Sequence, residues 1–457
     1  MVHQLRAAVM VGFAAVTAAA ATPFRIELVE EGSGWPVPLV RLHTTHQVGF
    51  VSDNAGVVAI DLPELVGRET WFTVAADGYE VPADGFGARG FRVTPSAGGR
   101  HRVTLTRTSV ARRLGRLTGA GIFGESLKLG MEEGWRESGV FGCDSVQTAM
   151  HRGRLHWVWG DTTLAHHPLG IFHATAATTD GSPLERPEPP IRLVFDHVRS
   201  AAGQLRGVAP IPGDGPTWLT GLVSLEDAAG RPRLVATYAK IRPPLEAVER
   251  GLCTWNEETA TFERHAVVWH TSADAPREPP VPDGHAVRWR ESAEREWVLC
   301  GDPLPTLRFP ARYEAWADPS TWEVLEPQTA FTPASGDKAV KPHRGSIAWN
   351  AFRNRWVTVF TESFGTPSAF GEVWYAEAPS PLGPWGPAVK ILSHANYTFY
   401  NPCLRPELVP SDSRVLLFEG TYSREFADRP AATPRHDYNQ VLYRLDLDDP
   451  ALRAARR

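Results

Sequence analysis

Two aspartates, Asp144 and Asp161, have the types and spacing that could perform acid–base chemistry. They lie 17 residues apart, at the two ends of a pair of apolar segments joined by a turn. An antiparallel hairpin of that length would bring both carboxyl groups to the same end. Two carboxyl groups across a sugar can serve as general acid and general base, with one pKa raised by burial or by the charge of the other.

Further ionisable and aromatic residues join these two aspartates as candidates. Glu362 is the third predicted acid or base, and Glu372 and Glu419 are rival partners. Arg344 could hold a carboxylate or a sugar hydroxyl. His285 could orient a carboxylate, bind a metal, or be a hydrogen-bonded channel residue. The predicted substrate-binding residues are His173, Trp218, His285, Arg344, Glu372, Asn401 and Glu419.

A five-fold repeat predicts how these residues come together. Each copy has a charged turn and then an apolar strand that ends in a polar residue, and these end residues are Asp161, Lys240, Asp302, Glu362 and Glu419. The intervals between them are 79, 62, 60 and 57 residues, enough for one four-stranded blade each. Five such blades form a β-propeller around a channel. Because the first two strands of a blade are antiparallel, the candidate residues should converge at one mouth of the channel.

The segment before the repeats has the pattern of a second β domain. Residues 23–107 show short runs with period two, separated by turns, and no helical period. The sequence therefore predicts an all-β protein, with a β-sandwich at 23–107 followed by a five-bladed β-propeller at 115–450.

The first residues are typical of a secretory signal peptide at 1–21. Arg6 precedes an apolar run of small residues that ends in Ala19-Ala20-Ala21. No later apolar segment approaches the ~18 residues that a membrane span needs. We therefore expect a secreted or periplasmic protein without a membrane partner after cleavage, with an uncleaved anchor as the alternative.

Composition narrows the possible partners. Lys and Arg number 47 against 52 Asp and Glu, which gives no support to nucleic-acid binding. The 16 Trp suit sugar faces, although most are expected in blade cores.

The four cysteines fit no zinc motif, so disulfides and buried thiols both stay open. No glycine-rich nucleotide-binding motif occurs between a predicted strand and a predicted helix, as such a motif requires. Nothing in the sequence supports a calcium ion in the channel. We predict a monomer with a carbohydrate substrate and no cofactor.

Two segments of the propeller resemble known enzyme families. Residues 142–147, Gly-Cys-Asp-Ser-Val-Gln, with 157–162, Trp-Val-Trp-Gly-Asp-Thr, resemble the opening of a five-bladed propeller domain whose studied members include endo-D-arabinanases. That resemblance implies that Asp144 and Asp161 are the catalytic carboxylates. Residues 374–385, ending in Pro-Leu-Gly-Pro-Trp, are similar to blades of glycoside hydrolase family 43 and its relatives.

The N-terminal segment carries a resemblance of its own. A Pro-Val-x-x-Val-x-Leu strand at 36–42, a Ser-Asp-x-x-Gly turn at 52–56 and an Ala-x-Gly-Tyr turn at 76–79 look like a transthyretin-like or carboxypeptidase-regulatory-like domain. Such a domain implies structural support or adhesion. The chain as a whole resembles an exported family common in planctomycete-type bacteria.

Three functional hypotheses follow from these patterns. The first is a glycoside hydrolase acting on extracellular polysaccharide or oligosaccharide, with acid and base drawn from Asp144, Asp161 and Glu362. The second is a non-catalytic propeller that binds glycan or protein. The third is a polysaccharide lyase, which needs a Tyr, His or Lys base beside an Arg, and Lys240, His285 and Arg344 keep that option open. A hydrolase needs two carboxyl groups within about 10 Å of each other across a pocket.

Overall fold

The computed structural model describes residues 22–171, 173–395, 397–427 and 432–456. The predicted signal peptide at 1–21 lies outside the described residues. Across the described ranges, no helix has the length and apolar character needed to cross a membrane.

The N-terminal segment forms two four-stranded sheets packed around one core. The first sheet contains, in spatial order, Val57–Ile60, Phe24–Glu30, Arg100–Arg107 and Tyr79–Glu80. The second contains Gly49–Val51, Arg41–Thr44, Thr70–Ala75 and Gly90–Val93. Along Phe24–Glu30 every second residue is buried, and the core between the sheets includes Ile26, Leu28, Leu42 and Phe72. The period-two alternation in the sequence therefore corresponds to the residues that this strand buries between the two sheets.

The rest of the chain forms five successive four-stranded antiparallel sheets, which we call blades 1 to 5. Blade 1 has strands Val146–His151, Arg154–Trp159, Thr175–Asp180 and Asp196–His197, and blade 2 has Thr217–Glu226, Pro232–Arg242, Glu246–Asn256 and Thr261–His270. Blade 3 has His285–Arg290, Glu296–Gly301, Pro305–Pro310 and Glu323–Val324, and blade 4 has Pro342–Asn350, Arg355–Glu362, Val373–Ala378 and Val389–Leu392. The first strands of successive blades lie against one another from blade 1 to blade 5. The predicted all-β propeller fold is confirmed.

Blade 5 joins the two ends of the propeller. Its strands are Thr398–Leu404, Val415–Ser423, Asn439–Asp446 and, as the outermost, Arg112–Arg116 from the start of the propeller. The strand that completes blade 5 begins at Arg112. Leu114, Leu417 and Trp157 share one hydrophobic core, so blade 5 also packs against blade 1.

Short elements decorate the blades. A three-stranded sheet of Gly142–Cys143, Thr162–Leu164 and His167–Ile171 extends the first hairpin of blade 1. The α-helices are Gly124–Lys128 and Tyr313–Ala317, and the 3-10 helices are Pro319–Thr321, Pro406–Leu408 and Pro450–Arg456. The four cysteines, Cys143, Cys253, Cys300 and Cys403, are free and buried. Of the two states left open by the sequence, the structure thus has buried thiols.

The sandwich is fixed to the outer edge of blade 5. The Asn54 amide donates to Arg116 O at 2.9 Å and accepts from Arg116 N at 2.8 Å, as a neighbouring strand would. Arg113 donates from its guanidinium to Pro38 O at 3.0 Å. Gly115 has φ 147°, and a Cβ there would lie 2.7 Å from the Asn54 amide nitrogen. Glycine is therefore required where the two domains meet.

Candidate active site

Asp144 and Asp161 face each other across the first hairpin of blade 1. The cross-strand pairs Cys143–Thr162 and Val146–Trp159 flank them in one register, and Asp144 N donates to Asp161 O at 3.2 Å. Residues directly opposite in an antiparallel pair have Cβ atoms about 4.5–5.5 Å apart. The structure thus places both carboxyl groups together where the first strand begins and the second ends. We call this end of the channel the mouth.

The pKa values of both carboxyl groups are raised. Burial raises the pKa of Asp144 to about 7, and the charge of Asp161 adds to that rise. Burial raises the pKa of Asp161 to about 6, against the opposing effect of a hydrogen bond from the Trp218 indole. Asp161 Oδ1 is buried without a hydrogen-bond partner among the described residues. Two adjacent carboxyl groups that hold protons near neutral pH are suited to proton transfer.

Gly160 allows the two carboxyl groups to approach. A Cβ at this position would lie 2.4 Å from Asp144 Oδ1. Any larger residue would push the Asp144 carboxyl group away from the hairpin. The glycine of the Trp-Gly-Asp-Thr sequence is therefore a steric requirement of the pair.

Two tyrosines from blade 5 complete the surroundings of Asp144, and sequence analysis did not select them. Tyr400 donates from its hydroxyl to Asp144 Oδ2 at 3.2 Å. The Tyr438 hydroxyl also hydrogen-bonds the Asp144 carboxyl group and lowers its pKa. Tyr400 directly precedes Asn401, which was selected as a strand start. The repeat pattern thus located the right place in the blade but missed the neighbouring residue.

The backbone around Asp144 adopts left-handed conformations that residues other than glycine rarely take. Ser145 has φ 41°, Asn401 has φ 52° and Tyr438 has φ 60°. Asn401 donates from Nδ2 to Ser145 Oγ at 2.6 Å, which ties blade 5 to blade 1 beside the carboxyl groups. Concentrated backbone strain of this kind is characteristic of functional sites.

A second polar cluster lines the same channel in blades 3 to 5. Arg344 donates to Asp302 Oδ2 at 2.8 Å. His285 Nδ1 lies 3.2 Å from Cys403 Sγ, and burial lowers the pKa of His285 to about 4, so its ring is neutral. Cys403 is three residues beyond Tyr400 on the first strand of blade 5. That strand therefore connects the aspartate pair at the mouth with the His285 cluster.

Other predicted site residues are engaged elsewhere. Glu362 accepts a hydrogen bond from the Trp374 indole at 3.1 Å in blade 4. Glu372 is fully buried and paired with Lys390 at 2.7 Å. Glu419 is fully buried and paired with Arg405. No hydrogen bond from Glu362 or Glu372 to blade 1 occurs within the described residues.

Two remaining candidates differ in their access to solvent. His173 is exposed beside the start of the third strand of blade 1, and burial of its ring still lowers its pKa. Lys240 is buried, and its amine donates to Ile211 O, Gly215 O and Thr217 Oγ1. Within the described ranges, no three or more His, Cys, Asp or Glu side chains are grouped so as to hold a metal ion.

Comparison with known proteins finds similar structures but no related sequences. No family model matches, and no curated protein matches. The structural neighbours are glycoside hydrolases. An exo-1,5-α-L-arabinanase from a bovine ruminal metagenomic library is 11% identical over 68% of this chain and 94% of its own, with a TM-score of 0.39.

Two fungal enzymes give comparable matches. An exo-β-1,3-galactanase from Phanerochaete chrysosporium is 11% identical over 67% of this chain, with a TM-score of 0.40, and the match spans 61% of that enzyme. The catalytic domain of a GH62 α-L-arabinofuranosidase from Coprinopsis cinerea is 10% identical over 67% of this chain and 90% of its own, with a TM-score of 0.36.

The raised pKa of Asp144 predicts a pH-dependent gain of stability for Asp144→Asn. A carboxyl group whose pKa rises from 3.8 to about 7 on folding destabilises the folded state, fully above pH 7 and not at all below pH 3.8. Because the group is partly exposed, we expect a gain of about 1–3 kcal/mol at pH 8 that shrinks as the pH falls to 4. Thermal unfolding at pH 8, 6 and 4 measures it.

The matched control for this gain is Asp274→Asn, at an exposed loop aspartate after blade 2. It should leave the melting temperature unchanged at every pH. A gain from Asp144→Asn that is equal at pH 8 and pH 4 would contradict the raised pKa.

Proposed function

We propose that this protein is a glycoside hydrolase that cleaves extracellular polysaccharide or oligosaccharide, with Asp144 as general acid and Asp161 as general base or nucleophile. The observation that carries the proposal is the pair of facing carboxyl groups with raised pKa values at the channel mouth. The export predicted from residues 1–21 would bring the enzyme to such substrates.

The pKa values support this division of roles. Between about pH 6 and about pH 7, Asp144 retains its proton while Asp161 is ionised. Asp144 would protonate the glycosidic oxygen as its bond to the anomeric carbon breaks. Asp161 would take a proton from the attacking water, or attack the anomeric carbon itself.

Neighbouring side chains supply the sugar subsite. The Trp218 indole lies beside Asp161 and offers a flat apolar face to the sugar ring. Beside Asp144, Asn401 offers an amide group and Ser145 offers a hydroxyl group. Arg344 is exposed at the same channel and is held by Asp302, so its remaining N–H groups can meet sugar hydroxyls.

At the carboxyl pair, a lyase is disfavoured by the state of Lys240, Tyr400 and Tyr438. A lyase needs a Tyr, His or Lys base beside an Arg. The Lys240 amine is buried and has three acceptors. Burial raises the pKa of Tyr400 and of Tyr438 well above the ordinary value, chiefly through desolvation, with the charge of Asp144 adding to it. Both phenols therefore remain protonated and cannot abstract a sugar proton.

A pure binding role is disfavoured by the charges at the mouth. A binding protein can hold sugar hydroxyls with ionised carboxylates, whereas acid–base catalysis needs one carboxyl group that retains its proton beside one that is ionised. Here the nearby cations pair with other groups, Arg344 with Asp302 and Arg405 with Glu419. Within the described residues, the carboxyl pair has hydroxyl, indole and backbone amide partners and no ion pair.

Reducing-end release from arabinan, galactan and xylan between pH 4 and pH 9 tests the proposal. We expect release from at least one glycan, with a bell-shaped profile whose limbs fall near pH 6 and pH 7. The limb near pH 6 reports ionisation of Asp161, because the base must be charged. The limb near pH 7 reports loss of the proton from Asp144.

Each alternative function gives its own result in the same assay. Release of products with an unsaturated sugar would indicate a lyase. Retention of a glycan on the folded protein without any release would indicate the binding module.

A further inference from the structure

Two exposed phenylalanines, with a half-buried third between them, form an aromatic surface near the mouth, which we call the shelf. Phe364 and Phe426 are 74% and 64% exposed. Phe370 lies between them, with ring centroids 5.3 Å from Phe364 and 6.0 Å from Phe426. Other strongly exposed apolar residues, such as Phe86 on the sandwich, belong to other parts of the surface. A contiguous exposed aromatic patch marks a binding surface more often than scattered residues do.

The backbone holds the two outer rings of the shelf in strained positions. Phe364 has φ 54° and Phe426 has φ 58°, in the left-handed region that bulky residues avoid. Burial does not explain this strain, because both side chains face solvent. Backbone strain at exposed residues clusters at functional sites, which is consistent with a ligand meeting these rings.

The shelf continues directly from the carboxyl pair. The ring centroids of Phe426 and Tyr400 are 6.3 Å apart, and the Tyr400 hydroxyl contacts Asp144 at 3.2 Å. His343 packs on Phe370 at 4.3 Å, and burial lowers the pKa of His343 to about 4, so this neighbour is neutral. The rings therefore lead from Asp144 across blade 5 to blade 4. Phe370 is tilted against Phe364 at an interplanar angle of 50°, and Phe426 meets Phe370 and Tyr400 edge to face, at 87° and 81°.

We propose that the shelf binds consecutive sugar residues of the glycan chain on one side of the bond that Asp144 and Asp161 cleave. This inference rests on the proposed function and adds that the enzyme favours chains over single glycosides. Neutral flat rings match the CH faces of sugars and would repel no uncharged glycan. Three rings are too small a surface for a stable protein partner, which needs about 800 Å² on each side.

Chain-length dependence of hydrolysis tests the shelf. We expect Phe364→Ala and Phe426→Ala each to lower the ratio of kcat/KM on a hexasaccharide to kcat/KM on a disaccharide by about three- to tenfold, mainly through KM. Phe426→Trp should restore the ratio, because a flat aromatic face returns. Phe86→Ala, fully exposed on the sandwich, is the matched control and should leave the ratio unchanged.

Affinity electrophoresis in gels containing arabinan, galactan or xylan separates failure of the shelf from failure of the hydrolase. If the wild type is retarded and the alanine variants are not, the shelf stands even where no bond is cleaved. An unchanged ratio together with unchanged retardation in the variants overturns the shelf. The shelf is also overturned if no glycan retards the wild-type protein in the gel and the wild-type protein hydrolyses none of them. The shelf is likewise overturned if sedimentation shows a dimer that the Phe426→Ala substitution dissociates, because the rings would then lie in an interface with a second copy of the chain.

Discussion

Asp144→Asn should lower kcat/KM on a glycan about a thousandfold, and much less on an aryl glycoside with a good leaving group. Loss of a general acid costs roughly 10²–10⁴-fold when the leaving oxygen needs a proton. A nitrophenolate leaves without one, so the deficit should shrink on a dinitrophenyl glycoside. Asp161→Asn should lose a similar factor on both substrates, because the attacking group is needed in each case. Steady-state kinetics on the two substrate types measure the difference.

Matched variants make this comparison decisive. Asp274→Asn, at the exposed loop aspartate, should retain wild-type kinetics. Glu362→Gln tests the third predicted carboxylate, whose Oε2 accepts from the Trp374 indole. If Glu362→Gln shows the leaving-group dependence and Asp144→Asn does not, the acid lies in blade 4 and our assignment is wrong. If the folded Asp144→Asn and Asp161→Asn proteins both retain activity on the glycan, the carboxyl pair is not catalytic.

The aspartate pair could be predicted because its signal is local. Both residues belong to one hairpin, and a strand pattern of period two fixes which end they occupy. The same reasoning selected Asn401 in blade 5, which hydrogen-bonds Ser145 beside the pair, but did not select the adjacent Tyr400. A bulge between Tyr400 and Cys403 shifts the register of that strand against its partner. A one-residue shift changes which side chain points at the mouth, and sequence alone does not reveal the bulge.

Long-range pairing limited the rest of the prediction. The fourth strand of blade 5 is Arg112–Arg116, whose sequence Arg-Arg-Leu-Gly-Arg lacks an apolar strand pattern and pairs with residues far along the chain. Glu372 and Glu419 match the repeat as polar residues near strand ends. Their cations, Lys390 and Arg405, come from different positions in their blades. A repeat pattern cannot show which carboxylate a cation has already neutralised.

The buried Arg405–Glu419 pair is the interaction whose loss should destabilise the protein most. Both side chains are buried, and the guanidinium also donates to Thr148 Oγ1 at 3.2 Å in blade 1 and covers the Trp157 ring at 5.4 Å. Arg405→Met keeps most of the side-chain volume but leaves Glu419 as an uncompensated buried carboxylate. We expect a loss of about 3–5 kcal/mol in the free energy of unfolding at pH 8, measured by urea denaturation.

The pH dependence and a double variant separate charge from packing in this pair. Burial already raises the pKa of Glu419, and Arg405 opposes that rise, so Arg405→Met should raise it further. A carboxyl group with a raised pKa costs stability as the pH rises, so the variant should recover part of its loss at pH 5. Arg405→Met/Glu419→Gln should recover most of it at pH 8. If the double variant is as unstable as the single one, Arg405 acts by packing on Trp157. If the double variant recovers its stability, charge balance between Arg405 and Glu419 is what stabilises the protein. It would then be this charge balance that holds blade 5, which carries Tyr400, against blade 1, which carries both aspartates.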